Sequence, residues 1–334
     1  MDASTLGRSE GRQTLWPRYL AAILASILWG SLYPAGKPAI DAVGPLQVTL
    51  CRAVLACLSM GTIVVLRGDV RLFGWHVAHR KSGILGLGAL SYCLSSLLAM
   101  LSLGLLPASV NGLLNNTGPL WLSIGVALFY PPRRPWALVL GSVAAVLGVG
   151  LIFFPNLPSG SAAVPASLNP LGVAISLAGS GVIAVGIVVG RRVTPGADPM
   201  TLASLASGVS VPVLLTLVLL NGGLTPIITA SLHVKLLLLW VGVGCTAINY
   251  SLWFYALQML PAARAAPFQY LIPPVGVALS AITLGDAITP ALLIGGGLII
   301  FGLFASQAAA GRIPVDVTTK YSPEMWPQRA PPND

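Results

Sequence analysis

The residues of this chain that could do chemistry are amides, hydroxyls and aromatic rings embedded in apolar sequence, rather than clusters of acids and bases. The stretch NGLLNNTGPLW carries Asn111, Asn115 and Asn116, followed by Pro119. Farther along, Gln269 and Tyr270 precede Pro273 and Pro274. Tyr92, Ser95 and Ser96 form one polar stripe, and Thr246, Asn249 and Tyr250 another, with Trp253 one turn beyond Asn249. Such groups recognise a partner by hydrogen bonding and ring contact. They do not assemble a nucleophile, a proton relay or a metal cage: Asp41, Asp69, Asp198 and Asp286 fall in loops or at element ends. The sequence contains neither a phosphate-binding Gly-x-x-x-x-Gly-Lys loop nor an HExxH pair, so ATP-driven work, metal catalysis and a bound cofactor are not expected.

The elements that must carry these residues follow from composition. The chain has 334 residues, 55% of them hydrophobic and 8% charged, whereas a soluble domain spends about a quarter of its residues on charge. Lipid is therefore the main solvent. Long uncharged runs predict ten membrane-spanning helices at 18–36, 45–66, 83–104, 108–130, 136–154, 170–190, 199–220, 234–258, 262–284 and 288–308. Each can cross a hydrocarbon layer about 30 Å thick. The runs are too long and too continuous for the alternating strands of a β-barrel.

Basic residues fix the expected orientation, because cytoplasmic loops retain Lys and Arg. With the N-terminus inside, only Lys37, Arg52 and Lys235 fall toward the far side. Ten spans then return the C-terminus to the cytoplasm. The net charge of +9 is explained by this topology, and nucleic acid is not an expected partner. Residues 1–17 read as a cytoplasmic tail without a cleaved signal, 155–169 as an extracytoplasmic linker, and 309–334 as a disordered cytoplasmic tail. Cys51, Cys57, Cys93 and Cys245 lie within spans as small packing residues. His76, His79 and His233 read as solvated residues of loops and helix ends.

The two halves repeat at one fixed offset of 154 residues. Pro45 pairs with Pro199, Leu106-Pro107-Ala108 with Leu260-Pro261-Ala262, Pro119 with Pro273, Gly141 with Gly295 and Gly148 with Gly302. No gap is needed between Lys37 and Gly148, so a duplication is the expected origin. Residues 18–154 form the first repeat and 170–308 the second. Five spans in each force the second to insert upside down, and such inverted repeats let a central site face alternate sides of a membrane.

The chemistry-bearing residues fit that frame. Asn111, Asn115 and Pro119 share a stripe at intervals of four residues. Pro119 has no N–H for the carbonyl of Asn115, and Pro273 none for that of Gln269. Matched interruptions at corresponding depths point to a solute site, with Asn115 and Gln269 as its centre and Asn111, Asn116, Tyr270, Asn249, Trp253, Tyr92, Ser96 and Trp29 around it. Packing of helix on helix is the alternative use for each of these. Pro34, Pro119, Pro273 and Pro274 are the expected hinges. Arg52, seven residues into the second span, reads as a scaffold charge that snorkels or pairs, with a solute-facing role as the alternative. Small-residue ridges such as Gly172, Ser176, Ser180 and Ala184 read as close-packing surfaces. Asn115-Asn116-Thr117 lies within the bilayer and is discounted as a glycosylation signal.

The motifs AILASILWGSLYPAGK, PLQVTLCRAVLA, LSLGLLPASVNGLLNNTGPLW and ALQMLPAARAAPFQYLIPPVGVALSAITLGDAIT resemble the two EamA repeats of the drug/metabolite transporter superfamily over about residues 18–308. The resemblance implies a multi-pass protein of the inner membrane with a cavity between its repeats, and movement of a small metabolite, often an amino acid or related solute leaving the cell. Two departures stand out. The acid that follows glycine as Gly285-Asp286 has no counterpart in PPRRP, and the sixth span, SLAGSGVIAVGIVVGRR, lacks an aromatic matching Trp29. The expectation is thus an all-α carrier of an amino-acid-like solute or drug, with solute and membrane lipid as partners and homo-oligomerisation left open. A membrane enzyme acting on a lipid-linked substrate would need a cluster of acids, histidines or a nucleophile at one interface. A non-transporting scaffold would tolerate leucine at 115 and 269.

Overall fold

The computed structural model describes residues 16–127, 134–153, 168–193, 197–257, 260 and 262–309. Most of the 155–169 linker and almost all of both tails lie outside these residues. Every regular element among the described residues is helical, as lipid requires of a chain whose backbone groups must be satisfied internally.

The first half runs through α1 (Trp16–Gly30), α2 (Leu32–Val43), α3 (Pro45–Leu66), α4 (Arg71–Leu87), a π-helical segment (Gly88–Leu94), α5 (Ser95–Leu105), α6 (Ala108–Asn115), α7 (Gly118–Ala127) and α8 (Pro135–Phe153). The second runs through α9 (Pro170–Val193), α10 (Pro199–Leu220), α11 (Thr225–Thr229), α12 (Leu232–Leu239), a π-helical segment (Trp240–Ile248), α13 (Asn249–Leu257), α14 (Ala262–Gln269), α15 (Ile272–Leu284) and α16 (Pro290–Ala309).

Local chemistry explains the boundaries. Gly44 takes φ of 95°, open to glycine alone at low cost, and turns the chain so that Pro45 begins α3. At the matching place Asp198 caps α10, its carboxylate accepting from the Thr201 N–H at 2.7 Å, and Pro199 follows. Pro34 offers no N–H to the Gly30 carbonyl, and the first helix breaks one residue later, at Ser31.

Eight candidate spans are long and apolar enough to cross a membrane, making this a multi-pass all-α membrane protein. The expected fourth span, 108–130, is instead divided into α6 and α7, and at the expected tenth, 288–308, the apolar stretch Pro290–Ser306 of α16 is not among the eight.

The most extensive helix pair is α8 with α16. Glycines make it possible. A Cβ on Gly141 would come within 2.6 Å of the Gly302 carbonyl oxygen, and one on Gly295 within 2.6 Å of the Gly148 carbonyl oxygen. With no side chain between them the two backbones touch, which is how helices gain contact in lipid. A second seam joins α3 to α10, where the Ser204 hydroxyl donates to the Cys57 carbonyl at 2.9 Å.

One sequence expectation is corrected at α4. His76 is buried, 1% exposed. Its Nδ1–H donates to the Leu72 carbonyl at 2.7 Å, leaving Nε2 to accept from the Asp198 N–H at 3.3 Å. The ring therefore links α4 to the start of α10. Spacing alone could not show this, because the partner lies 122 residues away.

Two outcomes test these contacts. Gly148→Ala should destabilise the detergent-solubilised protein by about 1–3 kcal/mol through overpacking. Gly150→Ala, where a Cβ meets nothing within 4 Å, should be neutral or stabilising, and thermal unfolding of the pair reads the difference. Asp286 accepts from the Ser109 N–H at 2.9 Å, capping α6 from the other half of the chain. Asp286→Ala should lower stability by about 1 kcal/mol, measured the same way.

Candidate functional site

The α6–α7 break places polar groups inside the bundle. Helix α6 stops at Asn115 and α7 starts at Gly118, with Asn116 at φ −83° and ψ 9° between them. Pro119 cannot donate to the Asn115 carbonyl. The gap is held by side chains: Asn116 Nδ2 donates to the Gly112 carbonyl at 2.6 Å, and the Thr117 hydroxyl to the Leu114 carbonyl at 2.8 Å. Ser180 Oγ of α9 lies 2.8 Å from Thr117 Oγ1 and accepts from Trp121 Nε1 at 3.0 Å. In the second half α14 stops at Gln269 and α15 starts at Ile272, with Pro273 in the corresponding position.

Both breaks open onto a cavity of about 1280 Å³. Its wall includes Asn115, Asn116 and Pro119 from the first break and Gln269, Tyr270 and Pro273 from the second. Trp29 contributes from α1, Tyr33 from α2, Tyr92 from the first π-helical segment and Ser96 from α5. Asn115 is 5% exposed. Its Oδ1 accepts from the Tyr33 hydroxyl at 3.3 Å, while Nδ2 is buried without a hydrogen-bond partner.

The aromatic wall is continuous. Trp29 meets Tyr250 edge-on at 5.5 Å between ring centres, Tyr92 lies 6.1 Å from Tyr250, and Tyr250 stacks on Phe254 at 5.6 Å. Among the described wall residues the charged one is Arg52. Its Nε donates to Thr246 Oγ1 at 3.1 Å, and Nη1 approaches Ser96 Oγ at 3.5 Å. Tyr92 and Thr246 project from the two π-helical segments, whose extra residue per turn re-aims side chains.

Three expected site residues lie outside this wall. Asn111 is fully buried, its Oδ1 accepting from the Ser102 hydroxyl at 2.8 Å and its Nδ2 donating to the Ala99 carbonyl at 3.2 Å. It ties α6 to α5. Asn249 is fully buried too, with Nδ2 donating to the Cys245 carbonyl at 3.2 Å. Trp253 packs behind Trp29 at 6.3 Å, against the alanine face of α1. Of the expected hinges, Pro119 and Pro273 line the cavity, Pro34 is buried beside it, and Pro274 is exposed on the outer side of α15.

The wall also holds Tyr33, Arg52, Ser95 and Tyr250, which were not among the ten expected site residues although the sequence relates them to the site, and Thr49, for which spacing gives no signal. Tyr33 follows Trp29 by one helical turn, and Tyr250 sits at the offset position of Ser96. No group of three His, Cys, Asp or Glu that could hold a metal occurs among the described residues.

Comparison with known proteins supplies the chemical class. The chain is 22% identical over 291 residues to an uncharacterized transporter of Archaeoglobus fulgidus, covering 86% of this chain and 97% of the relative. It is 25% identical over 289 residues to a probable terminal-alkyne amino-acid exporter of Streptantibioticus cattleyicolor, covering 85% and 91%. A 96-residue stretch is 34% identical to a probable amino-acid metabolite efflux pump of Salmonella typhimurium, covering 28% and 32%. A crystal structure shares the fold with a TM-score of 0.59 at 19% identity, over 89% of this chain and 98% of the other. These names describe transporters rather than enzymes. The EamA-like transporter family model matches residues 16–154 and again 170–306, and the chain belongs to that family, as a multi-pass membrane transporter of small molecules.

Proposed function

We propose that this protein is a secondary carrier that moves a small polar or amphipathic metabolite, amino-acid-like or drug-like, out across the inner membrane by alternating access. The observation that carries the reading is the cavity whose wall draws on a broken helix from each half of the chain. Its amides and hydroxyls suit the polar end of a solute, and its aromatic wall the apolar end.

Ten spans in two inverted five-helix repeats, with both termini cytoplasmic, provide the motion. In support, α3 and α10 have bounds that differ by one offset of 154 residues, as do α6 and α14. The glycine seam is reciprocal in the same register, Gly141 facing Gly302 and Gly148 facing Gly295. In that arrangement residues 18–154 and 170–308 rock about the cavity, and the helix breaks act as hinges. Two relatives named for amino-acid export or efflux favour a solute of that class and the outward direction. No carboxylate lines the cavity among the described residues, which favours facilitated diffusion or exchange over a carboxylate proton relay.

The test is a solute survey in proteoliposomes, with and without a pH gradient. Asn115→Leu and Gln269→Leu should each lower flux of the solute moved by the native chain by about 10-fold or more, the value of a lost buried hydrogen bond to a polar ligand. Unchanged flux in both variants removes the site assignment. Absence of flux for every solute favours a non-transporting scaffold.

A further inference from the structure

The role of Arg52 is not set by the carrier reading, although the inference rests on it. A guanidinium in a membrane span is retained only where it snorkels, pairs or faces a water-filled cavity. Arg52 stands seven residues into α3, about 10 Å from its start, and lines the cavity. Its hydrogen-bond partners, Thr246 and Ser96, are neutral hydroxyls that leave its charge uncompensated.

The acids of the described chain are all placed elsewhere. Asp41 pairs with Lys37 at 2.9 Å, Asp198 caps α10, and Asp286 caps α6. Asp69 lies in the turn beyond the opposite end of α3, 17 residues and about 25 Å along the axis from Arg52. The repeat supplies an internal comparison. The position equivalent to Arg52 is Ala206, fully buried in α10, and that helix forms without a charge there. A cation needed simply to build the helix would be needed in both copies.

We propose that Arg52 is the anion anchor of the cavity: it binds the carboxylate of a solute whose apolar body packs against the wall formed by Trp29, Tyr92 and Tyr250. The fork of the guanidinium matches a carboxylate, and the hydroxyls of Thr246 and Ser96 hold it in place. The substrate class is therefore an amphipathic carboxylate, and a cationic amphiphile without an anionic group is excluded.

Three probes sharing a phenyl ring test this on the purified full-length protein: phenylalanine, 3-phenylpropionate and phenethylamine. Binding is read by thermal protection and by titration calorimetry. The two carboxylates should bind and phenethylamine should not. Arg52→Gln should weaken carboxylate binding between about 10-fold and 100-fold, the worth of a charge-assisted hydrogen bond. Arg52→Lys, which keeps the charge and loses the fork, should retain part of the affinity and serves where the glutamine variant does not fold. Phenethylamine binding as tightly as phenylalanine overturns the anchor, and so does full carboxylate affinity in Arg52→Gln; either leaves the carrier reading intact. Binding of none of the three also overturns it, while the flux survey decides the carrier reading independently.

Discussion

A backbone carbonyl deprived of its helical N–H inside a membrane must find a partner in protein or face water, because lipid offers none. The organisation of this protein depends on that constraint. Pro119 and Pro273 each deprive one carbonyl, Asn115 and Gln269 respectively, and both helices open where they border the same cavity. The side chains around the first break are arranged to hold it. Asn116 and Thr117 return hydrogen bonds to their own segment, and Ser180 ties the break to α9. A polar stretch of cavity wall is the consequence.

The rest of the bundle is divided between surfaces that lock and surfaces that face space. At the α8–α16 seam glycines bring backbone against backbone, and there is no room for a side chain to change rotamer. Contacts of that kind resist sliding because interiors at close-packed density have few alternative arrangements. Around the cavity the contacts are ring edges and single hydrogen bonds, individually worth on the order of 1 kcal/mol. In the proposed carrier this seam would serve as a pivot between the two halves, with rearrangement at the cavity.

Much of this was legible in the sequence because it depends on residues that act on their own neighbours. A proline removes the donor for the carbonyl four residues earlier wherever the helix sits, so the matched breaks and the bend near Ser31 followed from local spacing. The offset register was legible for the same reason. Distinguishing Asn115 from Asn111 was not. Both lie on one stripe of α6, but Asn111 meets the Ala99 carbonyl and Ser102 of α5, a neighbour that spacing within α6 does not specify. His76 was misread for a similar reason, since its partner arrives from the second half of the chain. Asn249 has the composition of a site residue and the placement of a packing residue.

Arg52 shows the limit most clearly. Its depth was readable, and depth alone is consistent with a scaffold charge. What separates the uses is the inventory of partners, which depends on how α3 meets α5 and the π-helical segment before α13. Those helices bring hydroxyls to the guanidinium and no acid. A hydroxyl can fix the orientation of a cation without neutralising it, whereas a carboxylate would do both and leave little attraction for a ligand. The combination of fixed geometry and uncompensated charge is what a binding group needs and a structural group avoids. Among the described wall residues this charge has a single position, without a copy at Ala206, which makes the described wall electrostatically one-sided. A solute with one anionic end would therefore be oriented within the cavity, its apolar end directed by exclusion toward the rings of Trp29 and Tyr250.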